Sequence, residues 1–198
     1  MNRALVAFAI AVALIFGLPG CSKPDAPRKP AASQRTGAKP AQPFEAVAAQ
    51  GKGFSVGAMM SAHPVYVLFD PQCPHCGHLW EASLPLHGKV KFVWIPVSIM
   101  NSNSVRQGAA LLTASNPAEA MTAHEKSIIA GTGGMSASAS VPPELEAAIQ
   151  KNTALFSSLG ADSVPYILAR NVKTGAVVSK TGALTTAELA AFLGMDAP

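Results

Sequence analysis

Pro64-Val65-Tyr66-Val67-Leu68-Phe69-Asp70-Pro71-Gln72-Cys73-Pro74-His75-Cys76 decides how this chain reads. Val65 to Phe69 is an apolar, β-branched and aromatic run of strand length. Because it is apolar at successive positions, it predicts a central strand covered on both faces. Asp70-Pro71 turns the chain. Two cysteines follow with two residues between them. Beyond them Leu79, Trp80, Ala82, Ser83 and Leu84 form a helical stripe that Pro85 kinks or ends. A strand that delivers Cys-x-x-Cys to the start of a helix is an arrangement for thiol–disulfide chemistry. A thiolate there faces unpaired backbone N–H groups and the positive end of the helix dipole, so Cys73 is the expected nucleophile. Cys76, one turn further in, is the expected resolving thiol.

Working outward, Gly88-Lys89 turns the chain into Val90–Val97, a second strand rich in β-branched and aromatic residues. Strand, helix and strand with a short crossover make a βαβ unit, which predicts a parallel pair. Upstream, Phe44–Gln50 reads as a short helix and Gly53–Gly57 as a short edge strand. Downstream lies a helical insertion, about 102–160. Val105, Ala109, Leu111 and Leu112 mark one helix. Asn116-Pro117-Ala118-Glu119 starts another, with an Asn N-cap, Pro at the first position and Glu three residues on. Gly131 stops it, a loop of small residues follows, and Pro142-Pro143-Glu144 opens a third helix. Leu145, Ala148, Ile149, Asn152, Phe156 and Leu159 fall near one face of that helix, and Gly160 closes it. Strand grammar then returns. Val164–Ala169 is opened by Pro165, Lys173-Thr174-Gly175 turns, and Ala176–Lys180 pairs back as a hairpin. Thr185-Thr186-Ala187-Glu188 is a capping box for a last helix closed by Gly194. The order is βαβ, helical insertion, ββα, an α/β chain with a mixed central sheet.

Several residues of the motif carry a second reading. His75, between the cysteines, favours the thiolate if partly charged and makes the pair more oxidising; alternatively it is a solvent-facing residue at a helix start. Pro74 stiffens the turn at a position whose N–H needs no partner. Asp70 reads as shaping the turn, and Trp80 as core. Cys73, His75, Cys76 and His78 are all metal-ligand types, but helical spacing does not bring four of them to one tetrahedral ion and a second Cys-x-x-Cys is absent. Haem attachment needs His directly after the second cysteine, where this chain has Gly77. Transient copper binding by the reduced dithiol stays open.

The N-terminus sets the compartment. Arg3 precedes an uncharged apolar run, Ala4–Leu18, shorter than the roughly 20 residues a membrane span requires. It reads as a secretory signal over 1–20. Leu18-Pro19-Gly20-Cys21 resembles a bacterial lipobox, in which Cys21 is lipidated; Pro19 departs from that pattern. By the same resemblance, Ser22 favours the outer membrane. Residues 21–43 then form a tether rich in Pro, Ala and Lys with no apolar periodicity, and the folded domain occupies 44–198. The chain's formal charge of +4 is concentrated in that tether, where Lys23, Arg28, Lys29, Arg35 and Lys39 face a single Asp25. The rest is close to neutral, which removes the basis for a nucleic-acid partner. The chain has 3 cysteines, so a lipidated Cys21 leaves Cys73 and Cys76 as a closed pair.

The order of elements is that of the thioredoxin fold, with Cys73-Pro74-His75-Cys76 where that fold keeps its active site. Phe69-Asp70-Pro71-Gln72-Cys73-Pro74-His75-Cys76, then Trp80, Pro85, Gly88-Lys89-Val90, Asn116-Pro117-Ala118, Val141-Pro142 and Leu159-Gly160-Ala161, resembles the catalytic domain of the periplasmic disulfide isomerases DsbC and DsbG, DsbG most closely. The resemblance covers roughly Pro64 to Gly194. It implies that Pro165 is a cis-proline packed against the Cys-x-x-Cys, with Val164 offering backbone to a substrate strand. Two features depart from the isomerases. About 20 residues separate the tether from the first strand, which leaves no room for their dimerisation domain and implies a monomer. Val164 stands where they usually have Thr, and Val164-Pro165 with Cys-Pro-His-Cys resembles the oxidase DsbA instead.

The resulting expectation is an envelope thiol:disulfide oxidoreductase, a reductase or isomerase held at a membrane by lipid. Its substrates are exported proteins with cysteines, a membrane redox partner recharges it, and it uses no cofactor beyond the Cys73–Cys76 pair. A DsbA-like oxidase and a copper metallochaperone on the same scaffold are the alternatives.

Overall fold

The computed structural model describes residues 40–197. The signal, Cys21 and nearly all of the tether lie outside the described residues. Helix α1 (Pro43–Gln50) and strand β1 (Phe54–Gly57) precede the central strand β2 (Pro64–Phe69). Helix α2 (Pro74–Ser83) runs into a 3-10 turn at Leu84–Leu86, where Pro85 ends the α-helical ladder, and β3 (Lys91–Pro96) follows. The insertion holds α3 (Ser102–Leu112), α4 (Pro117–Ile129) and α5 (Pro143–Ser158). Strands β4 (Tyr166–Arg170) and β5 (Val177–Thr181) and helix α6 (Thr186–Leu193) complete the order.

The five strands form one sheet in the order β1-β3-β2-β4-β5. β2 and β3 run parallel with Val65 opposite Phe92 and Leu68 opposite Ile95, while β1, β4 and β5 join antiparallel. The sheet is therefore mixed, with β2 inside it. The two faces of β2 serve two cores. Val65, Val67 and Phe69 pack with Leu79, Trp80, Met121 and Leu189, whereas Tyr66 and Leu68 pack with Phe44, Val47, Leu155 and Phe156. This alternation is why the strand is apolar at every position. Trp80 is core, 1% exposed, and its ring meets Trp94 edge-on at 5.2 Å. Such a pair contributes about 1 kcal/mol beyond its buried area.

The terminal signals fold as their chemistry dictates. Asn116 caps α4 by accepting from Glu119 N–H at 3.3 Å. Thr185 and Glu188 form a reciprocal capping box on α6. Asn152 on α5 is fully buried; its amide takes Lys52 N–H and donates to the carbonyls of Lys52 and Pro96. That pins the insertion to one end of the β1–β3 pair, where β1 begins and β3 ends. The last two strands begin slightly later than their sequence suggests. β4 starts at Tyr166, because Pro165 has no N–H to give a ladder, and β5 starts at Val177.

Candidate active site

The site is assembled at the end of β2, and the turn that leads into it is heavily braced. Asp70 is fully buried, yet its carboxylate has four donors. Oδ1 accepts from Gln72 N–H at 2.9 Å and Ser104 Oγ at 2.7 Å. Oδ2 accepts from the backbone N–H groups of Ile99 at 2.7 Å and Met100 at 3.0 Å. A buried carboxylate without a cation is tolerable on such terms, since each donor replaces part of its lost hydration. Asp70 thus ties the Cys-x-x-Cys turn to the loop after β3 and to α3, which extends its expected role as a turn residue.

The neighbouring turn residues are held as well. His124 on α4 is fully buried, and its Nδ1 must accept because Met135 N–H donates to it at 3.0 Å. Nε2 therefore carries the proton and donates to the Pro71 carbonyl at 2.7 Å. Burial lowers its pKa, with the Pro71 bond opposing, so the ring is a neutral brace. Gln107 on α3 donates to the carbonyls of Gly133 and Met135 and accepts from the Gln72 amide. Helices α3 and α4 of the insertion thereby fix the residues on either side of Pro71.

Cys73 is the N-cap of α2, extended at φ −99° and ψ 111°, with Pro74 in the first turn. Its N–H donates to Asp70 O at 3.0 Å. Pro74 and His75 are exposed, Cys76 is fully buried, and Cys73 is 5% exposed. Both thiols are free. Cys73 Sγ lies 3.6 Å from the carbonyl of Val164. The Val164–Pro165 bond is cis, as the resemblance implied. Cys73, Cys76, Pro74, His75, Val164 and Pro165 therefore meet at one end of the sheet.

The environment separates the two thiols. Cys73 is lowered to about 6, first by a hydrogen bond from the Cys76 thiol. Burial opposes this; the backbone N–H groups of Cys76 and His75 add to the lowering, and the His75 charge adds least. The partner thiol and the helix-start N–H groups thus outweigh the histidine; the hydrogen bond from Cys76 is the contribution that the sequence alone does not suggest. Cys76 is pushed well above its ordinary value, first by burial, then by its bond to Cys73 and the Cys73 charge, then by the charge of Glu125. One thiol is a thiolate at neutral pH with a path to solvent; the other is a shielded thiol.

Glu125 is the residue that sequence reasoning missed. It is fully buried on α4, and both its carboxylate oxygens lack a hydrogen-bond partner among the described residues. A signal for it exists: Met121, His124, Glu125 and Ile128 are the buried residues of α4, a spacing of i, i+3, i+4, i+7 that marks a core stripe whatever the polarity of its members. Among the described residues no group of three or more His, Cys, Asp or Glu is placed to hold a metal ion.

Comparison with known proteins agrees with this geometry. The architecture is the thioredoxin fold: a periplasmic thioredoxin-like protein from Salmonella enterica serovar Typhimurium superposes with a TM-score of 0.60 at 15% identity, covering 78% of this chain and 95% of that one. Within that fold the chain is DsbG-like. It is 33% identical over 132 residues to the thiol:disulfide interchange protein DsbG of Pseudomonas aeruginosa, a match to 66% of this chain and 50% of the relative. The Escherichia coli protein of the same name is 31% identical over 105 residues, 52% of this chain and 42% of the relative. The chain spans about half the length of the curated relatives it matches, or less. No family model matches it.

Proposed function

We propose that the chain is a thiol:disulfide oxidoreductase of the cell envelope, working on protein disulfides as a reductase or isomerase. The observation that carries this reading is the division of labour between the two thiols. Cys73 is ionised near pH 6 at a helix start, while Cys76 is buried and held protonated one turn away. The Cys73 thiolate attacks one sulfur of a substrate disulfide; a Cys73–substrate S–S bond forms and the substrate's other sulfur leaves as thiolate, taking a proton from solvent. Cys76 then loses its proton and attacks Cys73 Sγ. The Cys73–Cys76 disulfide forms, the mixed disulfide breaks, and two electrons have passed to the substrate. A membrane redox partner returns the pair to the dithiol. The Val164 carbonyl, beside Cys73 Sγ, is positioned to pair with an extended substrate. The DsbG relatives support the periplasm as the compartment, and a lipidated Cys21 completes the proposal with a membrane anchor.

A second reading, a dithiol oxidase, is supported by the same lowered Cys73. A stabilised thiolate favours the reduced form and so makes the disulfide a better oxidant. Purified reduced chain tests the shared chemistry: it is expected to reduce a model protein disulfide, and Cys73→Ala is expected to abolish this. Alkylation of Cys73 and Cys76 in growing cells separates the directions. A mostly dithiol pool supports the reductase or isomerase, and a mostly disulfide pool overturns it in favour of the oxidase.

A further inference from the structure

Beside the thiol pair, the structure holds a groove between α3 and the loop of small residues that follows α4. It consists of two cavities of about 240 Å³ each, and Arg106 lines both. Asn103, Gln107, Gly133 and Met135 are further walls of the first. Ala109, Ala110, Val141 and Leu145 give the second its apolar lining. The groove reaches the catalytic turn. Gln107 Oε1 and the Gly133 carbonyl, both on the first cavity, each accept from the side-chain amide of Gln72, the residue before Cys73. One side chain therefore separates an occupant of that cavity from the turn that carries the nucleophile.

The two walls of the groove differ in what they offer. Arg106 is half-buried and is the only charged residue on α3. No acidic side chain lines either cavity, and the two ion pairs among the described residues, Arg170–Glu45 and Lys173–Asp196, lie elsewhere. A guanidinium in a recess without a counter-charge suits a carboxylate, which it holds through two parallel N–H···O bonds. The opposite wall is backbone. Residues 136–140 alternate serine and alanine and are exposed or half-buried. Among the described residues their main chain makes one hydrogen bond, from Ser140 N–H to Ser138 Oγ. The remaining N–H and C=O groups are free to pair with a chain laid beside them. A small anion would use the first wall alone; a polypeptide segment with an acidic side chain uses both.

We propose that this groove binds an extended segment of the substrate protein, and that Arg106 selects segments with an acidic side chain near the attacked cysteine. This rests on the exchange chemistry proposed above and narrows its substrate class. The carboxylate meets Arg106, the backbone next to it runs along residues 136–140, and a following side chain enters the cavity of Ala109, Ala110 and Leu145. Arg106 touches no reacting atom; its part is specificity. It also offsets a cost. An acidic residue beside the attacked cysteine is repelled by the Cys73 thiolate, and a guanidinium one cavity away gives that charge a place to settle.

A set of acetylated and amidated peptides tests this with the reduced chain. Each carries one cysteine, as its disulfide with thiopyridine, in a Gly-Ser background. One Glu stands two to six residues before or after the cysteine, which at about 3.3 Å per residue samples about 7 to 20 Å; Gln at the same places is the neutral reference. Cys73 attacks the peptide sulfur and a Cys73–peptide S–S bond forms. Thiopyridine leaves with the electron pair of the broken bond and takes a proton from solvent, so its absorbance reports the rate. Glu at one or two adjacent positions is expected to react about fivefold faster than Gln at low salt, and the preference to shrink as salt is added. Arg106→Gln is expected to level the set. Arg106→Glu is expected to move the preference to Lys at the same positions, with the Gln peptides within about twofold of the parent. Lys180→Glu makes the same charge change on β5, away from the groove, and is expected to keep the parent's preference. A parent without a Glu preference, a preference that survives Arg106→Glu, or variants that slow all peptides alike would overturn the inference. A parent chain whose Cys73 reacts like an ordinary thiol would instead overturn the proposed function.

Discussion

Lowering the pH is the perturbation that most exposes how this site works, because the Cys73 thiol sits at about 6 against an ordinary 9.0. At pH 7 a thiol at about 6 is roughly 90% thiolate, whereas one at 9.0 is about 1% ionised. The gain of about 90-fold in thiolate is partly cancelled, because a less basic thiolate is a poorer nucleophile. With a Brønsted slope of about 0.45, three units cost roughly 20-fold, leaving a net advantage of about fourfold at pH 7. The rate at one pH is therefore a weak test and the midpoint a strong one. The folded-state pKa is depressed, so this thiol stabilises the reduced chain above its ordinary value and loses that contribution as pH falls through about 6. At pH 7 the part realised is roughly 1.4 kcal/mol, equivalent to a disulfide about 30 mV more oxidising. Alkylation of the reduced chain by iodoacetamide between pH 4 and 10, read by mass spectrometry, should show a single midpoint near 6 from Cys73, with buried Cys76 unreactive. Cys76→Ala removes the largest lowering cause and should raise the midpoint more than His75→Ala does. A parent midpoint near 9, or one that moves with His75 and not with Cys76, would refute the reasoning.

The bracing of the site gives two further expectations. Asp70→Ala leaves three backbone N–H groups and the Ser104 hydroxyl without their acceptor, and should cost on the order of 3 kcal/mol in chemical denaturation; a loss below about 1 kcal/mol would mean that the loop finds other partners. Gly134→Ala forces a side chain onto a backbone at φ +83° and sets its Cβ 2.6 Å from His124 Cε1. A loss of about 2 kcal/mol in the same assay is expected, and an unchanged midpoint would contradict the placement of His124 against that turn.

The frame and the reactive pair were legible from local grammar. A doubly apolar run means a strand covered on both faces, and the core divides across Val65/Val67/Phe69 and Tyr66/Leu68 accordingly. Asn116 and Thr185 cap the helices they precede, because capping depends on residues within one turn. What surrounds the pair was not legible, since it depends on contacts distant in sequence. Gln107 meets Gln72 across 35 positions, and His124 meets Pro71 across 53. Polar residues on a helix ordinarily read as solvated, and Ala123-His124-Glu125-Lys126 looks like a surface until its period is set against Met121 and Ile128. The same spacing places Ser104, Gln107, Gly108 and Leu111 on the buried side of α3. In both helices the apolar residues announced the stripe, and of the polar residues on it Ser104, Gln107 and His124 hold the turn that leads into Cys73.

Cys76→Ala tests the central claim most directly. With the resolving thiol gone, Cys73 still attacks a disulfide but nothing releases it, so partners remain covalently attached. Expressed in its envelope and acid-quenched, this variant should accumulate reducible adducts with cysteine-containing exported proteins, all lost when Cys73 is also changed to Ala. If no adduct accumulates, or if adducts persist without Cys73, the assignment of this chain to thiol–disulfide exchange is wrong.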